Sequence, residues 1–192
     1  MIILASKSAS RRAMLGDAGV EFDVMPAAID ERALEASLGD VAPAQVALEL
    51  ARAKAVSIDG GEIPVLGSDS VLSVAGERFD KPTSREQAAE HLRYFSGKEM
   101  VLDSAAAIAL GSHVRWDHCA QARLTVRPLT EDFIERYLRA EWPEVAQCVG
   151  VFRIEAMGVQ LFERIEGDYF TVLGMPLLPV LGALRELEEL PA

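Results

Sequence analysis

Residues 1–25 hold a strand, a helix and a second strand with almost no connecting chain, and this constrains the fold more than any other feature. Met1-Ile2-Ile3-Leu4-Ala5 is a compact apolar run, the pattern of a short buried strand. Ser6–Ser8 form a turn. Residues 9–19 follow as a helix, with Ser8 or Ser10 as N-cap and Gly19 just past the last turn. Residues 21–25 (EFDVM) read as the next strand. Strand, helix, strand in so short a span predicts an α/β layout.

The rest of the chain continues the mixture. Residues 43–57 have Pro43 in a first turn and Val46, Leu50, Ala53 and Val56 at helical spacing. Residues 63–67 read as a buried strand, and 70–79 as a hairpin turning at Ala75-Gly76-Glu77. Ser84-Arg85-Glu86-Gln87 has the form of a capping box and opens a helix to about Phe95. Two long strands are expected over 99–110 and 113–127, then a helix from Thr130 to about Ala140. Toward the end, VQLFERI (159–165) and YFTVL (169–173) both read as strands. An amphipathic helix with Pro179 in its first turn closes the chain. There is no repeat and no clear linker, so 1–192 is expected to form one domain, or one with two lobes.

Charge excludes one class of partner. The formal net charge is −11, and general nucleic-acid binding needs a cationic surface. A local cluster can still oppose the global sign and attract a small anion. No apolar run reaches membrane-spanning length, and the opening run is too short and lacks the charged start of a signal peptide. A cytoplasmic protein is expected. Cys119, Cys148, His91, His113 and His118 are scattered and show no metal spacing.

Three stretches can carry chemistry. The first sixteen residues contain Lys7, Arg11 and Arg12 and no acid. Free N–H groups at a helix N-terminus favour phosphate. Ser6, Ser8 and Ser10 add hydroxyls, and the two arginines add forked donors. Simple capping by the serines is the competing explanation. In GSDSVLSVAGERFDKP (67–82), Asp69 follows a buried strand and Lys81 follows the return arm of the hairpin. A carboxylate facing a lysine is a candidate base or metal anchor, against the alternative of an ordinary turn aspartate. Asp30-Glu31 is either a third acidic point or a helix start capped by Asp30. Lys54 is either a snorkelling surface lysine or a ligand.

In order and spacing these stretches resemble the Maf family of nucleotide pyrophosphatases. The shared features are LASxSxxRRxxL at the start, IDE at 29–31, LARAKA at 50–55, GSD at 67–69 and GExxxKP at 76–82. Ser96-Gly97 and the closing GVQLFERIEGDYFTVLGMPL complete them, so the resemblance spans nearly the whole chain. It implies a fold related to the inosine triphosphatase-like enzymes, with a strongly bent mixed sheet, flanking helices and a nucleotide cleft between two lobes. It also implies a cytoplasmic homodimer that uses a divalent metal (Mg, Mn or Co) to split a nucleoside triphosphate into monophosphate and pyrophosphate.

By the same resemblance Asp69 is the proton acceptor. Ser6, Ser8, Arg11, Arg12, Lys54 and Lys81 are phosphate-binding residues, and Asp69 and Glu31 are metal ligands. Positions 10, 70 and 155 bear on substrate choice. The branch preferring thymidine or uridine triphosphate has proline and arginine in place of Ala9 and Ser10, threonine for Ser70 and glutamine for Glu155. The acid at 155 and the LFERIEG run are closer to the branch acting on 7-methyl-GTP, which has tryptophan and glutamine in place of Ser10 and Ser70. An ionised glutamate only accepts hydrogen bonds, which suits a base edge with two N–H donors such as guanine's. The alternatives are a dTTP/UTP pyrophosphatase, and a nucleotide-binding cell-division regulator with little catalysis.

Overall fold

Ile2–Leu4 (β1) is buried throughout and pairs in parallel with Phe22–Val24 (β2), Ile3 opposite Asp23. The computed structural model describes residues 1–191. Between these strands runs Ala9–Asp17 (α1), whose N-cap is Ser8: its hydroxyl accepts from Arg11 N. The helix ends in a Schellman motif. Val20 N–H donates to Leu15 O and Gly19 N–H to Gly16 O, with Gly19 at φ +71°. Met14 and Leu15 carry its buried face, each such side chain contributing about 1.5–3 kcal/mol.

Two further helices follow, Glu31–Leu38 (α2) and Pro43–Val56 (α3). Asp30 caps α2 by accepting from Ala33 N at 3.0 Å. Val65–Val74 (β3) then returns parallel to β1, Ile3 opposite Val65. β3 turns at Ala75 (φ +51°) and Gly76 (φ +84°) into antiparallel Glu77–Phe79 (β4). Two successive positive-φ residues give the type I′ turn suited to a two-residue hairpin.

The remaining elements are Arg85–Phe95 (α4), Glu99–Leu110 (β5), His113–Val126 (β6), Glu131–Glu141 (α5), Phe162–Glu166 (β7), Tyr169–Leu173 (α6) and Leu177–Glu186 (α7). Short 3-10 turns occupy Glu144–Gln147 and Met157–Leu161. The strands form one mixed sheet in the order β2-β1-β3-β5-β6-β7, with β4 beside β3. This is the α/β mixture that the sequence pattern leads one to expect, and the mixed sheet with flanking helices that the family resemblance implies.

The described chain forms two compact units. The first comprises Met1–Ser70, Asp103–Ala120 and the segment from Asp168 onward. Its core joins Ile2, Leu4, Leu15 and Leu66 to Ile108, Met175, Val180 and Leu184. The second comprises Val71–Leu102 and Gln121–Gly167. In it Ser84 caps α4 and Thr130 caps α5. Gln87 departs from the expected capping box, its carboxamide oxygen accepting from Thr83 N at 2.7 Å. Among the described residues no helix is long and apolar enough to cross a membrane.

Three expectations about secondary structure need correction. YFTVL is helix α6 rather than a strand. Asp168 accepts from Phe170 N and Thr171 N, and Gly174 caps the other end at φ +105°, so the ends override the strand preference of the aromatic and β-branched residues. Residues 159–161 lie in a 3-10 turn, and that strand begins only at Phe162. The expected strand over 63–67 begins only at Val65 and continues into the first arm of the hairpin as one strand, β3. Asp69 therefore lies within a strand and not at its end.

Candidate functional site

Gly67 explains why β3 carries small residues without breaking. A Cβ at this position would come 2.2 Å from Ala51 O and 2.5 Å from Ala55 N. Glycine is needed so that the backbone of α3 can lie against the strand. The helix turns Val46, Ala47, Leu50, Ala51, Lys54 and Ala55 inward, so the close contact carries Lys54 to the strand. Lys54 is thus buried, 8% exposed, rather than a snorkelling surface lysine.

Its ammonium meets two carboxylates. Lys54 Nζ is 2.5 Å from Asp69 Oδ1 and 2.8 Å from Glu31 Oε1. Asp69 is enclosed, while Glu31, at the first position of α2, is half exposed. Both acids therefore converge on one cationic point at the edge of solvent. Asp30 does cap α2, and Glu31 still takes part in the site, so the two explanations of that acidic point hold together.

The cationic corner at the front of the chain lies in the same unit and touches the same strand. Arg11 Nη1 donates to Ser68 O at 2.8 Å and Arg11 Nη2 to Ser70 Oγ at 3.2 Å, on either side of Asp69 in sequence. Arg11 Nη1 also donates to Ser6 Oγ at 3.3 Å, and Arg11 Nε to Gly174 O at 3.0 Å. Burial lowers the pKa of this guanidinium, with Asp69 and Glu31 opposing the shift. It remains a cation at neutral pH.

The three serines of the entry turn differ in what they do. Ser6 is buried, and its hydroxyl accepts from Ser8 N and Arg11 Nη1. Ser8 is the N-cap, and Ser10 lies in the first turn of α1, not at its cap. Lys7 and Arg12 are exposed, and neither has a side-chain hydrogen bond or ion pair among the described residues. Both remain available to an anion.

Ser70 faces partners of its own. Its hydroxyl bonds Ser104 Oγ at 3.0 Å and Gly174 O at 3.0 Å. Ser104, fully buried on β5, donates to Thr171 O at 2.9 Å. Successive residues of a strand point to opposite faces, which separates Ser70 from the Lys54 face on which Asp69 lies.

Lys81 and Glu155 are exposed residues of the second unit. Their fields act in opposite directions on the Cys148 thiol, whose pKa burial raises to about 11. Glu155 sits on a loop tied down at several points. Tyr137 OH donates to Val151 O at 2.9 Å, and Arg153 Nε to the buried Glu141 Oε2 at 2.9 Å. A Cβ on Gly158 would come within 2.4 Å of Arg153 O. Burial also raises the Cys119 thiol to about 11, with Asp103 adding to the shift. Both cysteines are free. Protonated thiols of this kind are poor nucleophiles.

The sequence does not announce Glu141 in the second unit, nor Ser104 and Gly174 in the first. Glu141 closes the amphipathic helix α5, where its sequence position is that of one more surface acid. Ser104 is a lone hydroxyl in an apolar strand, and a polar residue in such a run is the one available signal. Among the described residues no group of three or more His, Cys, Asp or Glu side chains is arranged to hold a metal. Glu31 and Asp69 converge as a pair.

Comparison with known proteins supplies a family. The family model described as Maf-like protein matches residues 1–187. A 7-methyl-GTP pyrophosphatase of Rhizobium meliloti is 46% identical over 100% of this chain and 98% of its own length. A nucleoside triphosphate pyrophosphatase of Nitrobacter hamburgensis is 45% identical over 96% of this chain and 92% of its own. Among solved structures, a HAM1 protein from Coxiella burnetii has 18% identity and a TM-score of 0.37, over 65% of this chain and 72% of that one.

Proposed function

The chain belongs to the Maf family and is a nucleoside triphosphate pyrophosphatase; from that premise we propose that Asp69 is its proton acceptor and 7-methyl-GTP its preferred type of substrate. The observation that carries the catalytic part is the convergence of Asp69 and Glu31 on Lys54, on a strand gripped by Arg11.

Asp69 orients a water toward the α-phosphorus and accepts its proton. The new P–O bond forms as the bond from the α-phosphorus to the bridging oxygen breaks. The products are the monophosphate and pyrophosphate. Arg12 and the N–H groups at the start of α1 hold the leaving pyrophosphate, with Ser8 fixing the helix end. Lys54 keeps the two carboxylates together. A general base contributes about 10²–10⁴-fold, so charge stabilisation at the phosphates must supply most of the rate.

Glu31 and Asp69 are the residues that would hold a divalent cation, Mg, Mn or Co. The fit rests on their shared approach to one positive charge, since a Mg²⁺-type ion takes one or two carboxylates and fills its remaining positions with phosphate oxygens and water. When bound, it supplies further neutralisation of phosphate charge. The same proposal takes the protein as a cytoplasmic homodimer that binds nucleotide and neither nucleic acid nor membrane.

Base choice is assigned to Glu155, whose acceptor-only carboxylate suits the two N–H donors of a guanine edge. The name of the Rhizobium meliloti relative supports this choice over a pyrimidine. A pyrophosphate-release screen over ordinary, methylated and deaminated triphosphates, each with Mg²⁺, Mn²⁺ and Co²⁺, tests it. The expected result is fastest release from 7-methyl-GTP. A preference for dTTP or UTP would overturn the base assignment. Tight binding with no release would favour a regulator.

A further inference from the structure

We propose that Arg11 is a positioning residue that fixes the Asp69 strand and the turn after α6, and is not a ligand of the substrate's phosphates; this rests on the reading of Asp69 as proton acceptor. A guanidinium has five N–H donors. Four hydrogen bonds to the protein engage them, to Ser6 Oγ, Ser68 O, Ser70 Oγ and Gly174 O. One N–H is left, too few for the forked grip that makes arginine a phosphate binder. Arg12, the next residue, is exposed and keeps its whole fork. The paired arginines of the entry motif therefore divide the work, one holding the frame and the other facing the anion.

The frame is built on both sides of the base. Arg11 bonds the residue before Asp69 through a carbonyl and the residue after it through a hydroxyl. Gly174 O, which also receives Ser70 Oγ at 3.0 Å, ties this strand to the end of α6. Ser104 Oγ lies 3.0 Å from Ser70 Oγ and within donating reach of Thr171 O, so the two hydroxyls stand together beside α6. Gly174 must be glycine here, because its φ is +105° and a Cβ would come 3.2 Å from Ser70 Oγ. Displacing a catalytic group by about 1 Å can cost about 10²-fold in rate, so a frame of this kind acts on turnover more than on binding.

The test compares Arg11→Lys, Arg12→Lys and Ser104→Ala by steady-state pyrophosphate release, with thermal melting as a folding check. A lysine keeps the charge of Arg11 but cannot span four acceptors. Arg11→Lys is expected to lower kcat by about 10- to 100-fold while KM changes by less than about threefold. Arg12→Lys is expected to raise KM instead. Ser104→Ala touches neither arginine nor Asp69 and is expected to lower kcat in the same sense with KM unchanged. An Arg11→Lys protein with raised KM and wild-type kcat would overturn the proposal in favour of a phosphate ligand. Should Arg11→Lys not fold, wild-type kcat in Ser104→Ala would overturn it. Wild-type protein that releases no pyrophosphate from any triphosphate would instead strike the Asp69 reading, and this proposal with it.

Discussion

Lys54 Nζ stands 2.5 Å from Asp69 Oδ1, and Gly67, two residues earlier on the same strand, is what lets it come so near. The pair depends on a missing side chain. Without that gap α3 would sit further from β3, and the ammonium would not reach the carboxylate.

Gly67→Ala is therefore expected to affect both stability and turnover. The new methyl meets backbone atoms, Ala51 O and Ala55 N, which cannot rotate away. Overpacking of this kind costs about 1–3 kcal/mol. Urea unfolding should show the loss as a lower midpoint at unchanged slope. Pyrophosphate release should fall further than the loss of folded protein explains. A variant as stable and active as the parent would show that α3 and β3 can separate freely.

Lys54→Met removes the cation and leaves two facing acids. Breaking a buried ion pair from one side costs about 3 kcal/mol at the lower end of the usual range, and the exposure of Glu31 keeps the value at that end. Lys54→Met combined with Asp69→Asn removes both charges of the inner pair and should recover part of the loss. The double-mutant cycle measures this coupling directly. Additive losses would mean that the two side chains do not stabilise one another.

His91 gives the protein a pH-dependent stability in its second unit. The ring stands edge-on to Phe79 at 5.2 Å and near Phe95 at 5.7 Å, and its Nδ1 is buried without a partner. Burial lowers its pKa, while Glu90 and Asp80 act the other way. Folding thus favours the neutral ring. Its contribution is fully present above the unfolded pKa of about 6.5, and is lost as the pH falls from there toward the lower folded value. His91→Phe should flatten the stability profile below about pH 6.5, because no imidazole remains to be charged. Chemical unfolding from pH 7.5 to 5 checks this, and identical slopes for both proteins would refute it.

Much of this site could be read in the sequence, and the rest depended on contacts. Ser8, Arg11, Glu31 and Asp69 stand out because each sits in a local pattern of capping, charge or punctuation. Their convergence does not, since Arg11 and Gly174 are 163 positions apart. A strand ending before Asp69 is what the small residues there suggest, whereas Gly67 instead admits a helix against an unbroken strand. YFTVL suggested a strand because its composition favours one, whereas Asp168 and Gly174 supply helix ends on either side. The sequence alone allows Lys54 either role, because snorkelling and burial share one pattern. Only the packing of α3 decides between them.

The decisive substitution is Asp69→Asn. The substitution keeps the size of the side chain and removes the proton acceptor. Purified variant and parent are compared for pyrophosphate release from 7-methyl-GTP with Mg²⁺ present, and for nucleotide affinity by calorimetry. Turnover is expected to fall by at least about 10²-fold, with nucleotide still bound and the melting transition still cooperative. Hydrolysis at the parent rate would contradict Asp69 as the proton acceptor.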